Sequence, residues 1–180
     1  MEAHSYPKIL ADRTAADLIG RSTELERLVD LALGTGADGP LLVAGAPGAG
    51  VSELLKHAYD RLFCEQFAVI PFYFALNSSG ETAEQTARRF LHQFILQTVA
   101  FRRRDASILN WFPDLCELAE IAVPSDGHWI DRLIHGVGHD FSNESSDALL
   151  GMCLSAPVRA AAAGANGATG ASGGSSAGGA

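Results

Sequence analysis

The residues best suited to chemistry in this chain form one run: Gly45-Ala46-Pro47-Gly48-Ala49-Gly50-Val51-Ser52. Gly45, Gly50 and Ser52 fit the phosphate-binding pattern G-x-x-x-x-G-K-[ST] at every fixed position but one, where Val51 replaces lysine. Such a loop grips phosphate chiefly through backbone N–H groups. Small residues let the main chain curl round the anion, and glycine tolerates the positive φ angles that a nest of amides requires. Pro47 fixes one φ and stiffens the turn. A helix starting after Gly50 aims its unsatisfied N–H groups and the positive end of its dipole at the ligand. The Ser52 hydroxyl falls where Mg²⁺ would take a ligand.

Val51 offers neither charge nor donor. A hydrogen bond to a charged group contributes about 1.5–3 kcal/mol, so its loss weakens binding by about one to two decades. Phosphoryl transfer depends mostly on charge stabilisation, so the rate suffers more than the affinity. Lys56 is a poor substitute, lying roughly 7.5 Å along the helix and about 140° around it.

The elements that must position this loop read as strand, turn and helix. Residues 40–45 form an apolar run and the expected first strand. Ser52 to Phe63 is the following helix, with Leu54, Leu55, Ala58 and Leu62 inward. Upstream, Thr23 and Glu26 make a capping box before a stripe of Leu25, Leu28, Val29 and Ala32. Residues 67–76 read as a second buried strand, with Pro71 at an entry or bulge position. A long helix to about Arg104 follows, with Ser78–Glu81 and Thr82–Gln85 as rival caps. Shorter helices are expected over 106–122, 126–135 and 144–155, interrupted by Pro113, Pro124 and the Gly136–Gly138 pair. Residues 156–180 are almost all Ala, Gly and Ser. They bury too little apolar area to offset their ordering entropy and read as a flexible tail.

The segment Asp17-Leu18-Ile19-Gly20-Arg21-Ser22-Thr23-Glu24-Leu25, lying shortly before the loop, resembles the N-terminal part of AAA-type and STAND-type ATPases, including origin-recognition-like modules. The likeness covers roughly residues 15–105. It implies an α/β fold, a P-loop NTPase-like three-layer core spanning 17–155 with extra helices. It further implies that Ile19, Gly20 and Arg21 border the base of a bound ATP. Only two strands can be found, and no Walker B pattern follows. The expected core is therefore incomplete, and the chain reads as the N-terminal portion of a larger ATPase whose open sheet edges favour self-association or protein partners, or alternatively as a compact helical remnant repacked around the two strands. The function implied is weak, non-hydrolytic nucleotide binding within a regulatory switch. The alternative is a protein-interaction domain that has lost its nucleotide.

Other chemistries fit less well. A dinucleotide fingerprint needs an acidic residue near the end of the second strand, where this chain has Leu76-Asn77-Ser78. His135 and His139 have the i, i+4 spacing of metal ligands, joined by His128 and Asp140, but the intervening glycines argue against the helix that would hold them. Serine, histidine and aspartate residues are too scattered to name a triad. The net charge of −8 argues against a general nucleic-acid surface, and Arg102-Arg103-Arg104 reads as a solvated helix end. No run approaches a membrane span. Cys64, Cys116 and Cys153 are odd in number and far apart, which points to reduced thiols and a cytoplasmic setting.

Overall fold

The computed structural model describes residues 6–36, 39–76, 80–111, 113–140 and 146–169. Among them every regular element is a helix, with no strand and no sheet. This overturns the expected α/β P-loop NTPase-like core and the AAA-type architecture that came with it. Residues 40–45 and 67–76 run without ladder partners. A short apolar run cannot be told from other buried structure by periodicity alone, and a buried strand needs neighbours for both rows of its N–H and C=O groups. Two runs cannot supply those neighbours. Leu42 is 90% exposed where a central strand would bury it, and Pro71 removes a donor from the second run.

The helices fall into two compact units. The first comprises residues up to Tyr73 together with Arg104–Ala106. It contains a 3-10 turn at Ala15–Asp17, α1 (Ser22–Ala32) and α2 (Val51–Glu65). The apolar stripe of α1 behaves as its spacing predicts. Leu25 and Val29 are buried against Leu54, Ala58 and Leu62 of α2, with Leu18, Leu28 and Phe67 closing the edge. The predicted Thr23–Glu26 box does not form. The helix starts two residues early, Arg21 caps it without a side-chain bond, and Glu26 instead accepts from Arg61 Nη1 at 2.7 Å. Gly34, at φ +70°, ends α1 by taking the left-handed turn that frees Thr35 N to reach Asp30 O.

The second unit comprises Phe74–Arg103 and the residues from Ser107 on. It is built from α3 (Ala83–Arg103), α4 (Ile108–Trp111), α5 (Leu115–Ile121), α6 (Pro124–Asp140) and α7 (Ser146–Thr169). Of the rival caps for α3, Thr82–Gln85 is realised: Thr82 N donates to Gln85 Oε1 at 2.9 Å and Gln85 N to Thr82 Oγ1 at 3.2 Å; Ser78 lies outside the described residues. The C-terminal half of α3, Phe94 to Phe101, is buried all round and packs on α7 and α5, while α6 packs on α7 and α5. Pro113 splits the expected 106–122 helix in two, whereas Pro124 opens α6 at the one helical position where its missing N–H costs nothing. The helix α6 runs through Gly136 and Gly138, so those glycines do not interrupt it. Likewise α7 continues to Thr169, so the Ala/Gly-rich stretch after residue 155 is helical over its first part. Residues 170–180 lie outside the described residues. Among the described residues no helix is long and apolar enough to cross a membrane.

Candidate functional site

The glycine-rich loop leads straight into α2. Gly48 and Gly50 both take positive φ, +82° and +77°, the conformation predicted for a loop that turns its amides inward. Ala49 N donates to Ala46 O at 2.9 Å, closing a tight turn. The loop folds closely on itself at Gly45, where a Cβ would lie 2.7 Å from Val51 Cγ2 and 3.1 Å from Ala49 Cβ. Gly50 caps α2 without any side-chain bond, which leaves the first-turn amides without a side-chain acceptor. Ser52 is exposed in that first turn.

Arg21, 28 residues upstream, reaches this loop: its Nη2 donates to Ala49 O at 2.9 Å. Two of the separately recognised segments therefore meet. The rest of the upstream segment does not join them. Ile19 is 88% exposed, and Gly20 takes φ +72° with open space around it. Beside the loop lies a cavity of about 300 Å³. Arg21, Glu24 and Arg27 line its polar side, and Leu28, Leu54 and residues 41–44 line the rest. Arg21 Nη1 stands 3.8 Å from Glu24 Oε1, and Arg27 has no ion-pair partner among the described residues. Lys56 is committed elsewhere: its Nζ donates to Asp12 Oδ2 at 2.8 Å. That bond raises the lysine pKa and lowers that of Asp12, so Lys56 does not stand in for the missing lysine.

The residues that sequence reasoning passed over lie on the other side of α2. From sequence, residues 1–16 read as a lead-in to the domain, yet residues 6–13 are tied to the helix along their length. The Asp60 carboxylate is fully buried and accepts from consecutive amides: Ile9 N at 2.9 Å, Leu10 N at 2.7 Å and Ala11 N at 3.1 Å. Tyr6 Oη lies 3.2 Å from His57 Nδ1. Burial, with Asp60 nearby, pushes the Tyr6 hydroxyl pKa up to about 12, so it stays a neutral phenol at physiological pH. His57 Nε2 lies 3.5 Å from Glu53 Oε1, the same oxygen that accepts from Arg13 N at 2.8 Å. Asp60 and His57, standing among the apolar positions Leu54, Ala58 and Leu62 of α2, were the available signal, since a buried carboxylate requires donors.

No group of three or more metal-ligating side chains is found among the described residues. His128 is exposed beside Arg132, and the side chains of His135, His139 and Asp140 lie outside the described residues. No protein-family model matches the chain, and comparison with curated proteins and with solved structures returns no match.

Proposed function

We propose that the chain binds a phosphate-bearing small molecule without hydrolysing it, through the amides that open α2 and the guanidinium of Arg21. The observation that carries this reading is the seating of Arg21 on the loop, 2.9 Å from Ala49 O. It brings a cation to a turn whose own lysine position holds Val51. Anions favour an uncapped helix N-terminus for two reasons: its N–H groups are free and its dipole is positive there. The Ser52 hydroxyl offers one oxygen to a Mg²⁺ ion carried in with a triphosphate. The ligand's uncharged part has the adjacent cavity, whose leucines and two arginines suit an apolar body with an anionic end.

The test is a titration of the purified chain with a fluorescent ATP analogue, with and without Mg²⁺, to millimolar concentration. The expected result is weak, saturable binding that unlabelled ATP or inorganic tripolyphosphate competes away, with no phosphate released. A folded chain that gives no saturable signal would overturn the reading.

A second reading, a protein-interaction module, is favoured by α7. Leu150, Leu154 and Val158 are 54%, 72% and 70% exposed at i, i+4, i+8 spacing, an apolar stripe opposite the buried Leu149, Cys153, Ala156 and Ala160. A helix apolar on both faces ordinarily has a partner on each.

A further inference from the structure

We infer that residues 6–13 are a strap whose closure on α2 sets the affinity of the glycine loop, with Asp60 as its latch and Glu53 as the link; this rests on the phosphate-binding reading above. The latch is a main-chain device. Both oxygens of the buried Asp60 carboxylate are used on the amides of Ile9, Leu10 and Ala11, so this latch engages the strap's backbone, while the Asp12 side chain adds a tie to Lys56 Nζ at 2.8 Å. Charge-assisted bonds of this kind are roughly twice as strong as neutral ones. They span about fifty residues of sequence, so they form only when the strap lies down.

The link runs through Glu53. This carboxylate sits in the first turn of α2, three residues after Gly50, where its charge opposes any anion at the loop. With the strap closed, Glu53 Oε1 is taken by Arg13 N and faces His57 Nε2, and His57 in turn meets Tyr6. The strap thus holds Glu53 directly through Arg13 N and touches its neighbour His57 through Tyr6. When the strap lifts, Arg13 N and Tyr6 leave together. Glu53 is then released to swing toward the first-turn amides, where it competes with the ligand for the same donors. Closure and ligand binding favour each other, and by linkage the ligand must tighten the strap by the factor that the strap tightens the ligand.

The experiment combines hydrogen exchange with binding of inorganic tripolyphosphate in the full chain and in Asp60→Asn, Glu53→Gln and the double variant, each checked for helix content by circular dichroism. Saturating tripolyphosphate should slow exchange at Ile9, Leu10, Ala11 and Arg13 in the wild type. Asp60→Asn should speed exchange at these amides and weaken binding about three- to fivefold, in line with a charge at a helix N-terminus. The double variant should recover that affinity, because the freed acid no longer carries charge; a merely structural loss would not be rescued. Tripolyphosphate that binds with the strap amides unchanged and equal affinity across the variants would overturn the strap while leaving the function intact. Absence of binding to any folded variant would overturn both.

Discussion

At the residue scale the account turns on one missing and one borrowed cation. Val51 occupies the position where the pattern calls for lysine, and its side chain rests over Gly45. Arg21 comes from another segment to the same turn. Restoring the lysine should add a charged donor to whatever the loop already holds. Val51→Lys is expected to raise affinity for tripolyphosphate about tenfold, the size of one charge-assisted hydrogen bond, as measured by competition titration. An unchanged affinity would mean that the loop amides do not face the ligand. The positive φ values of Gly48 and Gly50 were legible in the sequence, because few residue types other than glycine adopt them readily. The capture of Ile9, Leu10 and Ala11 by Asp60 was not, since it joins positions about fifty residues apart and no local spacing encodes it.

Helices were the readable elements, and strands were not. Amphipathic stripes and caps act within a few residues, so the stripe of α1 and the Thr82–Gln85 box survive into the fold. The apolar runs at 40–45 and 67–76 carry no such local instruction; whether they pair depends on other segments, and none of the described residues pairs with them. The glycines at 136 and 138 cost the helix about 1 kcal/mol each relative to alanine, too little to break α6. Capping offers a direct test at this scale. Asp114 closes a capping box on α5, accepting from Cys116 N at 2.8 Å and Glu117 N at 2.9 Å while Glu117 reaches back to Asp114 N. Asp114→Ala should cost about 1 kcal/mol, read as a lowered urea midpoint at unchanged slope. No change in midpoint would mean that α5 contributes little to the cooperative fold.

For the whole molecule, a glycine-rich loop sits at the head of α2 on a helical frame. The loop needs only a helix start behind it and a cation beside it, and the first unit supplies both through α2 and Arg21. A sheet would add rigidity; without one, the proposed binding rests on the start of α2 and Arg21, and the proposed strap acts through α2. The apolar stripe of α7 belongs to the other unit and offers a separate face for contacts. The measurement that tests this most directly is a titration of the isotope-labelled chain with ATP and Mg²⁺, followed by amide and guanidinium chemical shifts. The account predicts saturable shifts concentrated at Gly48 to Glu53 and at the Arg21 side chain, with smaller ones at Ile9 to Ala11. Shifts that stay flat to millimolar ligand, or that gather away from the loop, would contradict it.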